Sequence, residues 1–513
     1  MLTPDTGTRT YLPHMSPSHY DIAIVGAGFS GLGMAMELRR AGVDDFVVLE
    51  RADDLGGTWR ENTYPGCACD IPSVLYSWTR EQNPRWSRAF ADQQEIWNYM
   101  REVVGRHDLD RHLRLGHELL SANWEEAGGR WEIETSQGRI TAGILISAAG
   151  ALADPAIPDI EGLDRFAGKV FHSAGWDHEH DLTGGEIAVI GTGASAIQFV
   201  PMIQPHVKRL HLFQRTPPWV LPRLDPEIPE RWQRRFERHP RLQRTIRTAV
   251  FSLLEASHVA FTHPRLMRLS ERRALAHLKR QIPDPDLRAK LTPDYRLGCK
   301  RILASNAWYP AIAADNVNVV TAGIAEITPD GILDRNAVEH AVDTIIFGTG
   351  FQVTDPPISH RVWGRSGTTL AATWHGSPKA HLGLAVVDFP NLFLLLGPNT
   401  GLGHNSVLLM IEAQVGYLTQ ALSWRRRNGI ATLEATGEAQ ARFIAKVDEA
   451  TSGSVWTAGG CVSWYLDGTG RNSTLWPGSV RAYQRRLAQF DPRDYRVGVP
   501  RRRPAPLSEP LPA

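Results

Sequence analysis

The segment Gly26-Ala-Gly28-Phe-Ser30-Gly31 has residue types and a spacing suited to holding a pyrophosphate. It follows an apolar run at residues 21–25 and precedes a helical pattern at residues 32–41. Glycines there permit a tight turn, and the N-terminus of the following helix attracts negative charge. Glu50 ends the next strand pattern, 19 residues after Gly31, where a carboxylate accepts hydrogen bonds from a ribose diol. These features together predict a dinucleotide site with an unphosphorylated ribose.

A second glycine turn lies at residues 191–196. Its residues are Gly191, Thr192, Gly193, Ala194, Ser195 and Ala196, with the alanine in place of a third glycine. The strand pattern after it ends at Phe213 and is followed by Gln214, Arg215 and Thr216, without an acid. A carboxylate there would repel a ribose 2′-phosphate, whereas an arginine can bind it through two hydrogen bonds. One acidic and one basic site predict FAD at the first turn and NADPH at the second.

Each turn must lie between a buried strand and a helix. The two resulting βαβ patterns predict an α/β fold with two dinucleotide-binding, Rossmann-like domains and a helical insertion. We expect residues 1–150 and 383–513 to form the FAD-binding domain, and residues 151–220 and 298–382 the NADPH-binding domain. Residues 221–297 carry 17 Lys and Arg against 9 Asp and Glu and have no strand pattern, which indicates the insertion.

Two further predictions concern the insertion and the C-terminal part of the chain. The apolar run at residues 249–261 favours a helix packed on the core over a substrate entrance or a membrane-contacting surface. The last strand pattern lies at residues 392–396, and the proline-rich tail from Arg501 is expected to be disordered.

Composition excludes several classes of protein. The chain has 513 residues and a net charge of +1, which gives no reason to expect a nucleic-acid partner. It has no run of about 20 apolar residues, so we expect no membrane span. The N-terminus lacks an apolar signal region and there are only four cysteines, so a reducing cytoplasm is the expected location. Cys67 and Cys69 lack a second Cys/His pair, so we expect no metal site.

Three further segments carry a family resemblance. Residues 166–177, FAGKVFHSAGWD, contain the pattern F-x-G-x-x-x-H-x-x-x-W-D at Phe166, Gly168, His172, Trp176 and Asp177. The stretch from Gly56 to Asp70 matches G-G-x-W-x-x-x-x-Y-P-G-x-x-x-D throughout, and Gly298-Cys-Lys300-Arg301 adds a Lys-Arg pair. Over roughly residues 20–480 the chain therefore resembles the flavin-dependent Baeyer–Villiger monooxygenases.

The resemblance implies a reaction and roles for residues. In this family NADPH reduces FAD, dioxygen adds to give a C4a-peroxyflavin, and a ketone becomes an ester or lactone. A permanently protonated guanidinium suits the negative charge of such a site, and the resemblance implies that it belongs to Arg301, oriented by Asp70. Lys300 is expected to join Arg215 and Thr216 at the 2′-phosphate.

The remaining motif residues have expected roles around the cofactors. Thr58, Trp59 and Tyr76 match positions that line the flavin, although for Tyr76 ordinary aromatic packing is an equal alternative. His172 and Trp176 are expected to organise the interface between the nucleotide domains and not to transfer the substrate's proton.

Two other functions remain open. An N- or S-oxygenating flavin monooxygenase would share both dinucleotide sites, but the ending Trp176-Asp177 favours the ketone-oxidising branch. The second alternative is a non-oxygenating redox sensor that binds flavin and NADP, or a disulfide reductase. A reductase needs a redox-active cysteine pair, and Cys67 and Cys69 are spaced more closely than the usual C-x-x-C. Residues 397–406 depart from the cyclic-ketone members of the family, so the ketone stays open.

Overall fold

The computed structural model describes residues 18–498. Its strands are β1 (Ser18–Val25), β2 (Phe46–Leu49), β3 (Leu113–Arg114), β4 (Leu119–Glu125), β5 (Arg130–Thr135), β6 (Gly138–Ser147), β7 (Lys169–His172), β8 (Glu186–Ile190), β9 (Arg209–Phe213), β10 (Val220–Leu221), β11 (Leu303–Ala304), β12 (Val317–Val320), β13 (Ile324–Thr328), β14 (Gly331–Asp334), β15 (Glu339–Ala341), β16 (Thr344–Phe347), β17 (Val362–Trp363), β18 (Leu392–Leu394), β19 (Thr432–Ala435) and β20 (Tyr495–Gly498).

The α-helices alternate with these strands in the nucleotide-binding parts and cluster in the insertion. They are α1 (Phe29–Arg40), α2 (Thr58–Glu61), α3 (Gln93–Arg106), α4 (Ala196–Ile203), α5 (Glu230–Arg238), α6 (Pro240–Thr262), α7 (Met267–Gln281), α8 (Pro285–Lys290), α9 (Trp308–Ile312), α10 (Leu370–Trp374), α11 (Leu408–Arg427), α12 (Gly437–Thr451), α13 (Val455–Ala458) and α14 (Val480–Arg486).

The first sheet carries the first glycine turn. Its eight strands run in the order β17-β4-β5-β6-β1-β2-β3, with β18 also pairing with β6. β1 is parallel to β2 and β6, whereas β4, β5 and β6 form an antiparallel layer. β1 ends at Val25 and α1 begins at Phe29, with Gly28 as its N-cap. The turn therefore lies at the carboxyl edge of the parallel strands, where α/β folds bind ligands.

The second sheet is parallel throughout and carries the second turn. Its order is β12-β9-β8-β16-β7. β8 ends at Ile190 and α4 begins at Ala196, so the turn at residues 191–195 again lies at a carboxyl edge. β7, at the edge of this sheet, contains His172. The predicted α/β fold with two Rossmann-like domains is confirmed.

The insertion is helical, as predicted, and comprises α5 to α8 between β10 and β11. α6 packs on the core through Gln243, Arg247 and Phe261, while Leu253 is 73% exposed on its outer face. Arg247 donates hydrogen bonds to the Val74 carbonyl at 2.6 Å and to the Thr79 hydroxyl at 2.9 Å, which attaches α6 to the first domain. No helix within residues 18–498 is long and apolar enough to cross a membrane.

The structure departs from the sequence predictions at short strands. β17, Val362–Trp363, pairs with β4 of the first sheet, although residues 298–382 were expected in the second domain. β19 and β20 form an antiparallel pair after residue 396, where no further strand was expected. β17 has only two residues, and β19 and β20 lack the unbroken apolar run that marks the equally short β2 and β18. The predictions about the N-terminal signal region and the tail from Arg501 fall mainly outside the described residues.

Candidate active site

One cavity of about 1200 Å³ contains both glycine turns. Its lining is mainly apolar and includes nearly all the predicted cofactor residues, namely Gly26, Gly28, Ser30, Glu50, Thr58, Trp59, Asp70, Tyr76, Gly191, Thr192, Gly193, Ala194, Ser195, Arg215, Thr216, Lys300 and Arg301. Gly31 lies just behind this wall, in the first turn of α1. The structure thus brings together side chains from both sheets and from the turn that follows the insertion.

The first glycine turn has no room for a side chain at Gly26 or Gly31. Gly26 has φ of +106°, and a Cβ there would lie 2.5 Å from the Ala148 carbonyl oxygen. A Cβ at Gly31 would lie 1.9 Å from the Gly26 oxygen. Gly28 faces open space instead, with only a Gly57 backbone atom within 4 Å of an added Cβ. This leaves a smooth backbone surface at the N-terminus of α1, which fits a pyrophosphate.

Glu50 is oriented by the backbone of this turn. It is buried, and its two oxygens accept hydrogen bonds from the Ala27 N–H at 2.7 Å and the Ala52 N–H at 3.0 Å. A carboxylate can accept about four hydrogen bonds, so acceptor positions remain for a ribose diol. The first site therefore fits the adenosine half of FAD.

Aromatic residues form the wall beyond this turn. Trp59 donates its indole N–H to the Tyr76 hydroxyl at 3.1 Å, and the Tyr76 ring meets Phe29 edge to face at 5.3 Å between centroids. Burial raises the pKa of Tyr76, so its hydroxyl stays protonated. Thr58 begins α2 beside them. These contacts hold an aromatic surface next to the first turn, which fits contact with a flavin ring.

The second turn is equally tight and lies beside two cationic side chains. Gly191 has φ of +112°, and a Cβ there would lie 2.4 Å from the Gly348 oxygen. Lys300 donates a hydrogen bond from Nζ to the Thr216 hydroxyl. Burial and the charge of Arg215 lower the pKa of Lys300. Arg215 is close enough to disfavour the charge of Lys300, and a pair of neighbouring cations fits an anionic group such as a 2′-phosphate.

Arg301 and Asp70 form a bidentate ion pair in the cavity wall. Nε and Nη2 of Arg301 donate to the two Asp70 oxygens at 2.8 and 2.7 Å, and Nη1 donates to the Leu402 carbonyl at 3.2 Å. Burial alone would raise the pKa of Asp70, but the charge and hydrogen bonds of Arg301 outweigh it and lower that pKa. Burial would lower the pKa of Arg301, and Asp70 raises it instead. Both groups stay ionised.

The residues of the F-x-G-x-x-x-H-x-x-x-W-D pattern do not line the cavity. His172 is buried, its Nδ1 accepts from the Ala174 N–H at 3.1 Å, and its ring meets Phe351 edge to face at 5.7 Å. Burial lowers the pKa of His172 to about 4. Trp176 packs on Phe199 of α4. This arrangement agrees with a structural role for the segment and not with proton transfer to a substrate.

Two features near Arg301 were not predicted from the sequence. Cys299 and Cys461, 162 positions apart in the chain, form a disulfide. Tyr465 is buried near Arg301, whose charge acts to lower its pKa, although burial dominates and raises that pKa to about 12. No local pattern signals either feature, because both depend on long-range packing. Cys67 and Cys69 are buried free thiols, and residues 18–498 contain no group of three or more His, Cys, Asp or Glu suited to a metal.

Comparisons with known proteins agree with this geometry. The family described as pyridine nucleotide-disulphide oxidoreductase matches residues 23–249. A Baeyer-Villiger monooxygenase of Pseudomonas aeruginosa is 48% identical over 482 residues, covering 93% of this chain and 92% of the relative. One of Streptomyces coelicolor is 48% identical over 492 residues, covering 95% and 94%. The solved cyclohexanone monooxygenase from Rhodococcus sp. Phi1 bound to NADP+ superposes with a TM-score of 0.85 at 26% identity, covering 94% and 100%.

Proposed function

This chain belongs to the Baeyer–Villiger monooxygenases, and we propose which of its residues carry the family's conversion of ketones to esters or lactones. The enzyme uses FAD, NADPH and dioxygen. One observation carries the assignment: the ion pair of Asp70 and Arg301 lies in the wall of the same cavity as both nucleotide turns. The substrate is accordingly a small molecule that enters this cavity.

The two turns hold the two cofactors. Gly26, Gly28 and Gly31 shape the pyrophosphate site of FAD, and Glu50 binds its ribose. Gly191, Gly193 and the start of α4 bind the NADPH pyrophosphate, with Arg215, Thr216 and Lys300 at its 2′-phosphate. Bound FAD, once reduced by NADPH, would activate dioxygen and supply one of its oxygen atoms to the ketone. The protein holds both cofactors and the ketone together and excludes water from the site.

Arg301 stabilises negative charge during oxygen transfer. Attack on a ketone carbonyl moves charge onto its oxygen, and a fixed cation in an apolar site stabilises that charge strongly. Three of the five guanidinium N–H groups are used by Asp70 and Leu402, so two remain for the reacting groups. Asp70 fixes the plane of the guanidinium, and it cannot act as an acid because its lowered pKa keeps it ionised.

The division into domains follows the sheets. We assign residues 1–150 and 383–513 to the FAD-binding domain and residues 151–220 and 298–382 to the NADPH-binding domain, except that β17 belongs with the first sheet. His172 and Trp176 lie on and beside the edge strand β7. From this position they hold the second sheet in place next to the cavity.

Product analysis with isotopically labelled dioxygen tests the function. The holoenzyme is supplied with NADPH and a panel of ketones and sulfides, and products are identified by mass. An ester or lactone with one labelled oxygen atom is the expected result. Sulfoxide as the sole oxygenated product would overturn the assignment in favour of heteroatom oxidation. NADPH binding without oxygenation of any compound would point to a redox sensor.

A further inference from the structure

The turn that carries Lys300 and Arg301 is joined to a distant loop at three places. The Arg296 N–H donates to the Gly459 carbonyl at 2.9 Å. Cys299 and Cys461 are bonded, with their Cα atoms 6.2 Å apart. Four residues further along the loop, Tyr465 lies buried close to Arg301. The disulfide therefore begins two residues before Arg301 in the chain, and it lies between the Arg296–Gly459 hydrogen bond and buried Tyr465.

This loop forms part of the cavity wall. Val462, Ser463 and Trp464 line the cavity, yet Val462 is 81% exposed and Trp464 42% exposed. Between the end of α13 at Ala458 and Tyr465 the chain has no helix or strand. Apart from the disulfide and the local bonds to Ser463, residues 461–464 make one hydrogen bond to the rest of the chain, accepted by the Trp464 carbonyl from the Thr474 hydroxyl at 3.2 Å. A segment with so few contacts opens at low free-energy cost unless a covalent bond restrains it.

We propose that Cys299 and Cys461 are a redox modification site that controls this loop. As a disulfide they hold residues 461–464 against the turn of Lys300 and Arg301; as two thiols they release these residues. Formation and reduction of the disulfide do not depend on the proposed function. Only the expected change in ester and peroxide yield rests on the proposed function. The released loop admits water to the cavity beside Arg301, so more of the NADPH consumed yields hydrogen peroxide and less yields ester.

Oxidation of the pair requires an acceptor for two electrons, and hydrogen peroxide is that acceptor. The Cys461 thiolate attacks one peroxide oxygen, the O–O bond breaks, and the leaving hydroxide takes up a proton, so a sulfenic acid and one water form. The Cys299 sulfur then attacks that sulfenic sulfur, and a second water leaves as the S–S bond forms. Cys461 reacts first because it is partly exposed, whereas Cys299 has no exposed surface. The enzyme's own unproductive turnover, which releases hydrogen peroxide, is one source of the oxidant.

The other two cysteines give an internal control. Cys67 and Cys69 are buried, and burial raises the pKa of Cys67 to about 12, so a thiolate is scarce there. They are two residues apart in the chain and are free thiols in the structure. Hydroperoxide treatment is therefore expected to convert one pair only, and the count of alkylatable thiols in the unfolded protein falls from four to two.

Peptide mapping of the holoenzyme tests the bond directly. Trypsin cuts after Arg296, Lys300, Lys446 and Arg471, so the linked product joins residues 297–300 to residues 447–471. The protein is reduced with a dithiol, treated with stoichiometric hydrogen peroxide, alkylated and digested without reductant. Appearance of the linked pair supports the proposal. Its absence, or a link involving Cys67 or Cys69, overturns it.

Hydrogen exchange and product coupling test the consequence. Reduction is expected to speed amide exchange in residues 459–466 by about tenfold and to leave α11 unchanged. Cys299→Ser/Cys461→Ser should match the reduced wild type in exchange and in peroxide released per NADPH, with or without dithiol. If the double variant folds poorly, Cys461→Ser serves, since that side chain is partly exposed. Equal amide exchange in both redox states overturns the proposal that the disulfide restrains this loop. If reduction changes amide exchange but neither redox state oxidises a ketone, the proposed function is wrong and the redox control of the loop still holds.

Discussion

Asp70 and Arg301 are 231 positions apart in the chain, yet they meet through two hydrogen bonds of 2.7 and 2.8 Å. Asp70 follows the G-G-x-W segment of the first domain, and Arg301 follows the helical insertion. A bidentate carboxylate fixes both the position and the plane of a guanidinium, which a single contact would leave free to rotate. The pair therefore determines where positive charge faces the cavity, and its removal is the most direct test of the assignment.

Arg301→Ala is expected to reduce ester formation by at least about 100-fold, because loss of one charge-stabilising group in an active site has an effect of that order. FAD content should stay normal, since Glu50 and the first glycine turn are untouched. Ester is measured by chromatography at saturating NADPH and dioxygen. Arg296→Ala is the matched control: Arg296 is on the same turn, but its guanidinium pairs with Glu271 at 3.1 Å. Parental rates in Arg301→Ala would show that another group stabilises the charge.

Arg215→Gln tests the choice between NADPH and NADH. Arg215 is exposed at the end of β9, next to Thr216 and Lys300. Loss of a hydrogen bond between charged groups costs about 1.5–3 kcal/mol, so we expect KM for NADPH to rise at least about tenfold and KM for NADH to change little. Steady-state kinetics with each cofactor measure this. Arg209→Gln, at the exposed start of the same strand, should change neither value. An equal loss for both cofactors would mean that Arg215 does not contact the phosphate.

The βαβ units were predictable because their signals are local. A strand, a glycine turn and a helix lie within 23 residues, and the acid or arginine follows at the end of the next strand. The pairing of Asp70 with Arg301 has no such signal, and only the family resemblance indicated it. The disulfide of Cys299 and Cys461 and the burial of Tyr465 beside Arg301 depend on how the loop after α13 folds back. The spacing of these residues along the chain does not indicate that this loop contacts the turn of Arg301.

Glu50→Ala is expected to weaken FAD binding by roughly 10- to 100-fold. The substitution removes the ribose acceptor and leaves the Ala27 and Ala52 N–H groups unpaired, and an unpaired buried donor costs about 1–3 kcal/mol. The ratio of flavin to protein absorbance after gel filtration reports retention, and titration with FAD gives Kd. Glu132→Ala, on β5 of the same sheet and exposed, is the control. Full flavin retention by Glu50→Ala would show that the ribose is held elsewhere.

His172→Gln tests whether the histidine of the F-x-G-x-x-x-H-x-x-x-W-D segment is a structural residue. In the folded protein the pKa of His172 is about 4, below its usual 6.5, because burial disfavours the charged ring. The unfolded chain therefore binds the proton at higher pH. The stability that neutral His172 contributes is fully present above pH 6.5 and declines as the pH falls toward 4.

A glutamine cannot titrate, but its amide oxygen can still accept from the Ala174 N–H. The expected result is a smaller drop in the unfolding midpoint between pH 6.5 and 4.5 than in the parent, with ester formation at pH 8 retained. Thermal unfolding across that range measures it. His206→Gln, which replaces an exposed imidazole, is the matched control. A variant with the parental pH slope but no ester formation would instead assign His172 a direct part in the reaction. In that case the substitution would have left the pH dependence of stability unchanged and removed only the activity.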